Sequence, residues 1–432
     1  MYDARAEMMS VDERTSLQQD RLRSLVDRLL AADGLQASRL RGAGVDAGAD
    51  VVLDRLADLP TTSKQDLWDH YPFGMSAVPR EDIVAVHGSS GTGGRPTLVG
   101  YTRGDLDLWS EMVGRSLGCA GAKAGDILHN AYGYGYGLFT GGMGFHLGGI
   151  KMGLTVVPVS GGMTQRQLTL LGDLGPQYLT CTPSYAVVLG EAARESGQDL
   201  STLRAGIFGA EPWSEAMRAQ IEALLPLKAL DVYGLSEVIG PGVATECIEG
   251  QNGLHVNEDH FLVETIDPVT GDPVPDGTPG ELVFSTLTKE GLPLLRYRCG
   301  DIASRHREAC VCGRTLVRMS KVLGRRDDML VIRGVNVYPS EVEAVVLAQP
   351  DLSAHYQLVV DERGPVSELI VCCESASADA ALVDSLGHAL RERLGLRAQV
   401  RVLPSESLPR QEVGKAVRVI RWREGKPPVP GI

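Results

Sequence analysis

Residues 83–97 read IVAVHGSSGTGGRPT, a short apolar run that opens into a glycine-rich turn. Ile83, Val84 and Val86 are β-branched and suit a strand. Ser89, Ser90, Gly91, Thr92, Gly93, Gly94 and Arg95 follow. The glycines let successive backbone N–H groups point into one concavity, the hydroxyls add donors, and Arg95 adds positive charge. Such a loop can hold a polyphosphate. It is not a Walker loop, because no Lys followed by Ser or Thr closes it, and taken alone a flexible polar turn is the better reading.

Working outward, the first 70 residues are charged and helix-patterned, with Leu22, Leu25, Val26 and Leu29 at helical spacing. From about Asp82 to Phe284, short strand-like runs such as Thr155 to Val159 and Ala205 to Phe208 alternate with helical segments. That alternation predicts an α/β architecture of helix-covered sheets. Asp267 to Gly280 reads as surface turns between strands. A short charged junction, Gly324-Arg325-Arg326-Asp327-Asp328, precedes a strand-like MLVIRG and about a hundred residues of mixed helix and strand. We therefore expect two domains, residues 1–325 and 326–432. The tail from Lys426 to Ile432, rich in proline, is expected to be loosely ordered.

The chain has 432 residues, enough for more than one core, and its 43% apolar and 22% charged residues are ordinary for a globular protein. A net charge of −13 excludes general binding to nucleic-acid phosphates but permits a local basic pocket for one anion. The first ten residues lack the basic start and apolar stretch of a secretory signal, and no apolar run is long enough to span a membrane. The eight cysteines do not make a disulfide framework, and a cytoplasmic protein with mostly packed thiols is expected.

Four further segments carry chemistry. Asp231, Tyr233, Gly234, Ser236 and Glu237 place a ring, a hydroxyl and carboxylates within seven residues; Tyr233 can cover a purine, and Glu237 can hold magnesium. In Arg296-Tyr297-Arg298-Cys299-Gly300-Asp301, a carboxylate after a glycine can accept both ribose hydroxyls. The third is the junction at Arg325 with Arg333 to Val337, and the fourth is Gly414-Lys415-Ala416-Val417-Arg418. An isolated Gly-Lys pair is better read as surface charge.

All these segments stand in the order and at about the separations they have in the adenylate-forming superfamily, and the chain most resembles the phenylacetate–coenzyme A ligases. The similar text includes YPFGMSAVPRED (71–82), PVSGGMT (158–164), GIFGAEPW (206–213), YGLSEVIGPGVATEC (233–247), LPLLRYRCGD (292–301) and GRRDDMLVIRGVNVYPSEVE (324–343). The resemblance implies a large N-terminal domain of helix-covered sheets and a small, mobile α+β C-terminal domain. It implies that Ser89 to Gly94 with Arg95 hold the ATP phosphates, and that Ala210, Glu211 and Pro212 line the adenine site. Asp231 would lie near the adenine amino group, Tyr233 on the ring, Ser236 and Glu237 at the phosphates and magnesium, Asp301 at the ribose, and Arg325 at ribose or phosphate. Lys415 would bridge the substrate carboxylate and the nucleotide, and Asp327 would mark a hinge.

The implied activity is ATP-dependent conversion of an aromatic carboxylic acid to its acyl-adenylate, then transfer to coenzyme A. Tyr132, Tyr134, Tyr136 and Phe139, with Ile207, Phe208 and Gly209, are the candidates for an apolar slot that takes a flat ring. Compared with the family, the chain carries an extra Gly-Tyr pair here, and Gly93 and Arg95 stand for the usual threonine and lysine of the phosphate loop. The alternative is a free-standing aryl-acid adenylating enzyme that loads a carrier protein's phosphopantetheine arm, which presents the same thiol, or an amine acceptor, and a non-catalytic nucleotide-binding protein is the remote alternative. Cys247, His255, Cys310 and Cys312 offer three thiolates and an imidazole for a structural zinc, a set that some CxCGRT-bearing relatives share. No nucleic-acid or membrane partner is expected, and either a monomer or a homodimer is compatible with the sequence.

Overall fold

The computed structural model describes the chain except for residues 90–95, 135–137, 139, 327–328, 334, 365, 377–379, 411–415 and 430. The helix Val11–Ala32 starts at a capping box in which Ser10 and Glu13 satisfy each other's backbone N–H. Its Leu22, Leu25, Val26 and Leu29 face one side and pack against Leu262, Leu287 and Leu295. Each such side chain removed from water contributes about 1.5–3 kcal/mol. This stripe fastens the N-terminal helix to strands more than 200 residues later in the chain.

The central sheet has nine strands among the described residues. Five of them are parallel, in the order Thr155–Pro158, Ile127–Asn130, Tyr178–Cys181, Ala205–Gly209 and Lys228–Leu235. Antiparallel neighbours Gly240–Glu246, Leu254–Val256, Arg318–Met319 and Arg305–His306 continue it. Helices Gly141–Met152, Thr164–Leu174, Pro183–Ser196 and Glu215–Leu224 fill the connections between successive parallel strands. Alternation along the strands feeds two separate cores: Tyr178, Ile207 and Leu230 enter one, while Leu179, Phe208 and Ala229 enter the other.

A second sheet joins Thr62–Ser63, Tyr297–Ala303, Gly280–Thr286 and Phe261–Ile266, and Gly324–Arg325 pairs with Tyr297–Ala303. The turn expected between Asp267 and Gly280 is present, with Asp267 Oδ1 accepting from the N–H groups of Val269 and Thr270. Beyond it, the hairpin Leu330–Ile332/Val335–Val337 and the sheet Gln399–Pro404, Glu368–Ser375, Tyr356–Asp361, Val419–Trp422 share a core with helices Pro339–Leu347 and Ala380–Leu394. The chain is thus a large α/β domain followed by a small C-terminal α+β one. The expectation of a loose tail is corrected: Val429 is 2% exposed and packs with Trp422 and Leu403, so an apolar residue among the prolines anchors the segment. Among the described residues no helix is long and apolar enough to cross a membrane.

Candidate active site

The carboxyl ends of the parallel strands and one face of the small domain enclose a cavity of about 780 Å³. The topology explains its location, because a parallel sheet leaves its crevice outside the C-terminal strand ends. Strand Ala205–Gly209 delivers Ala210, Glu211 and Pro212 to the wall. The turn is sharp: Ala210 has φ 69°, and a side chain at Gly209 would lie 2.2 Å from the Val232 carbonyl oxygen, so only glycine fits.

Strand Lys228–Leu235 and the turn after it supply Asp231, Tyr233, Gly234, Ser236 and Glu237 to the same cavity, and the second sheet supplies Asp301 and Arg325. The Tyr233 hydroxyl donates to Asp301 Oδ2 at 2.6 Å, and its ring stacks on Phe284. Arg325 pairs in register with Asp301, their charged groups 4.0 Å apart. Burial pushes the Asp231 carboxyl up to about 7, with Lys321 opposing this and Glu246 adding to it.

Three lysines and a tyrosine missed in the sequence stand around these groups. Lys64 lines the cavity, its Nζ 3.7 Å from Glu237 Oε1. Lys289 is fully buried and donates to the Glu237 carbonyl at 2.8 Å; burial pulls its pKa down to about 8 against the pull of Asp105 and Glu237. The Tyr101 hydroxyl lies 3.1 Å from the carbonyl oxygens of both Ser236 and Ile239. Lys321 sits 3.7 Å from the Trp213 ring centroid and pairs with Glu215 at 2.9 Å. None lies in the motifs quoted from the sequence, so only tertiary placement reveals them.

The small domain closes the remaining side with Pro339, Ser340, Glu343 and Ala416 to Val419. Glu343 accepts from the Ser214 N–H at 2.8 Å and from the Tyr356 hydroxyl at 2.7 Å. Glu211 accepts from the Ala416 N–H at 2.6 Å and from the Ser184 hydroxyl at 2.9 Å. Burial raises the Glu211 pKa, with Arg418 opposing. The chain immediately after Lys415 is thus tied to the AEP turn.

At the aromatic end, Tyr132 lines the cavity and stacks on Phe145, their rings 5.5 Å apart, alongside Thr140, Gly141, Leu235 and Pro241. Tyr134 lies outside this lining, its hydroxyl 2.8 Å from Asn130 Nδ2 and 3.1 Å from His146 Nδ1. Ile207, Phe208 and Gly209, the other residues expected at the slot, are not among those that line this cavity. Ile207 and Phe208 are fully buried on opposite faces of the sheet, and Gly209 faces the Val232 carbonyl. Ser89 reaches the cavity, whereas Ser90, Gly91, Thr92, Gly93, Gly94, Arg95, Tyr136, Phe139, Asp327 and Lys415 lie outside the described residues.

Away from the cavity, the ligand atoms of Cys247, His255, Cys310 and Cys312 all lie within 4.8 Å of one another. The Cys247–Cys310 sulfur separation is 3.6 Å, and Cys312 Sγ lies 3.4 Å from His255 Nε2. A tetrahedral zinc with Zn–S bonds of about 2.3 Å sets its ligand atoms roughly 3.8 Å apart, so the donor set and its spacing fit that ion.

Sequence and structure comparisons agree with this geometry. The family description "AMP-binding enzyme" matches residues 14–288, and "AMP-binding enzyme C-terminal domain" matches residues 334–423. The chain is 48% identical to the phenylacetate-coenzyme A ligase of Thermus thermophilus over 98% of its own length and 100% of that protein. The crystal structure of 2-hydroxyisobutyryl-CoA ligase in the postadenylation state, in complex with R3-HIB-AMP, is 28% identical, with a TM-score of 0.89 over 97% of this chain and 92% of that one. The same ligase in the thioesterification state, with 2-HIB-AMP and CoA, gives 0.72 over the same shares, again at 28% identity. With both domains matched and a relative aligned end to end, the chain belongs to the AMP-binding enzyme family.

Proposed function

We propose that this chain is an AMP-forming acid–thiol ligase that activates phenylacetate with ATP and passes the acyl group to coenzyme A. The end-to-end likeness to the Thermus thermophilus ligase carries this reading. The cavity supports it, since an aromatic wall at Tyr132 and a set of nucleotide-reading groups open into one space.

The substrate carboxylate attacks the α-phosphate, and pyrophosphate leaves. No protein nucleophile is required, so the residues act by positioning and charge neutralisation, for which proximity can contribute about 7–11 kcal/mol. In this reading Ala210 to Pro212 and Asp231 flank the adenine, and Asp301, held by Tyr233 and Arg325, takes the ribose. Ser236, Glu237 and Lys64 face the phosphates, and the glycine-rich segment that begins at Ser89 would supply further donors to them. Magnesium bound with ATP would be held by Glu237 and would screen the phosphate charge. Lys415, next to the anchored Ala416, brings the two anions together. In the second half-reaction the thiol attacks the acyl carbon and AMP leaves.

We place the domain boundary between residues 325 and 326, because Gly324–Arg325 still pairs with the large domain's strand Tyr297–Ala303, whereas Leu330 and Ile332 enter the small domain's core. The Cys247, His255, Cys310 and Cys312 set is read as a structural zinc site; four protein ligands leave no open position for catalysis. The buried free thiols suit a reducing compartment, and we place the protein in the cytoplasm.

The test is pyrophosphate release with ATP and magnesium across aryl, arylacetic and amino-aryl acids, with and without coenzyme A. Phenylacetate should give the highest kcat/KM, with AMP and a thioester appearing only when coenzyme A is present. Preference for another acid would overturn the substrate assignment. Release with phenylacetate that ignores coenzyme A would overturn the acceptor.

A further inference from the structure

Lys289 is a fully buried ammonium that makes no ion pair among the described residues. Burying such a group without a carboxylate partner is uncommon and costly, so the hydrogen bond it makes among the described residues is informative. That bond goes to the carbonyl oxygen of Glu237 at 2.8 Å, from beneath the turn whose side chains face the cavity. The Tyr101 hydroxyl serves the same turn at Ser236 and Ile239, and the Lys289 ammonium rests 5.1 Å from the Tyr101 ring centroid. The lysine's own loop is pinned in place: buried Asp105 accepts from the N–H groups of Glu290 at 2.7 Å and Gly291 at 2.8 Å, and Arg28 donates to the Lys289 carbonyl at 2.6 Å. The two strands Gly280–Thr286 and Tyr297–Ala303 flank this loop, so the second sheet reaches under the catalytic turn of the first.

The core-facing carbonyls of this turn have no water to bind and need protein donors. A hydrogen bond from a charged donor holds a peptide more firmly than one from a neutral donor. We propose that Lys289 is a positioning residue for the adenylation half-reaction, fixing the Glu237 peptide from below so that its carboxylate is presented to the ATP phosphates and their magnesium. This rests on the reading of Glu237 given above. The lysine touches neither nucleotide nor acid and acts only through the turn.

The full-length enzyme carrying Lys289→Met keeps the side chain's length and apolar stem while removing the ammonium. Acid-dependent pyrophosphate release should fall roughly 30-fold in kcat/KM for ATP, the size expected for losing a charged hydrogen bond. The magnesium concentration for half-maximal release should rise roughly five-fold, while thioester formation from supplied acyl-adenylate should stay within about two-fold of the parent. Equal loss of both half-reactions, or an unchanged magnesium requirement, would overturn the proposal. Tyr101→Phe, which removes the neutral donor from the same turn, should shift the magnesium requirement in the same direction and keeps the idea testable if Lys289→Met does not fold. Glu237→Gln measured in parallel separates the two readings. If Glu237→Gln leaves adenylation unchanged, the role of Glu237 fails; if only Glu237→Gln impairs it, the role of Lys289 fails.

Discussion

At the scale of single residues, the cavity sets carboxylates in contrasting environments. Asp301 is held between the Tyr233 hydroxyl and the Arg325 guanidinium, whereas Asp231 is buried beside Glu246 and pushed up to about 7. An acid whose folded pKa is raised binds its proton more tightly folded than unfolded. Stability from this group is therefore full below its ordinary value of 3.8, falls as pH rises toward about 7, and is level above that. Asp231→Asn removes the charge and hence the loss. The variant should match the parent at pH 4 and exceed it at pH 8 by about 1–3 kcal/mol, a discounted figure because Lys321 and Arg218 lose a neighbour. Urea melts at both pH values check this, and a gap that does not grow with pH would mean that Asp231 is already ionised at little cost.

At the scale of elements, legibility follows the range of the interactions. The helix Val11–Ala32 could be read because its buried stripe repeats within the segment, and the strand Ala205–Gly209 because it is a short apolar run that ends at a glycine. The side that Phe208 takes is not legible, because a fully buried strand shows no alternation and the sequence does not say which face meets the cavity. Lys64 and Lys289 were illegible because their partners lie 173 and 52 residues away. The thiol–imidazole cluster was legible only as a composition, since Cys247 and His255 meet Cys310 and Cys312 through the pairing of Leu254–Val256 with Arg318–Met319. That loop also holds the N-terminus, through Arg314 to Glu7 at 2.5 Å and the Thr315 N–H to the Glu7 carbonyl at 3.1 Å. Metal analysis should find about one zinc per chain, and Cys312→Ser should lose it and lower the Tm by several degrees. Amide exchange should quicken in residues 4–14 and 310–319 while kcat/KM for the acid changes little. An unchanged metal content would remove the zinc from the argument.

At the scale of the whole molecule, the position of the small domain matters as much as any side chain. The related 2-hydroxyisobutyryl-CoA ligase superposes far better in its postadenylation state than in its thioesterification state, with TM-scores of 0.89 and 0.72. The contacts holding the present arrangement can be named: Glu343 to the Ser214 N–H, the Ala416 N–H to Glu211, and His355 Nε2 to Glu191 at 3.0 Å. Each joins the small domain to the large one, and a domain that swings between half-reactions must break them. Glu343 is the most informative of the three, because its carboxylate is itself buried and its second oxygen takes the Tyr356 hydroxyl inside the small domain. Truncating it removes a tie between the two domains without touching the turn at Ser236 and Glu237, and should shift the balance of domain positions. Glu343→Ala should therefore lower acid-dependent pyrophosphate release by roughly ten-fold, the equivalent of one or two buried hydrogen bonds, while thioester formation from supplied acyl-adenylate stays equal to the parent or rises. Solution scattering of the variant with a non-hydrolysable acyl-adenylate should show a broader distribution of domain separations than the parent. If both half-reactions fall together while the scattering is unchanged, Glu343 serves the packing of Tyr356 and the balance between the two states is set elsewhere.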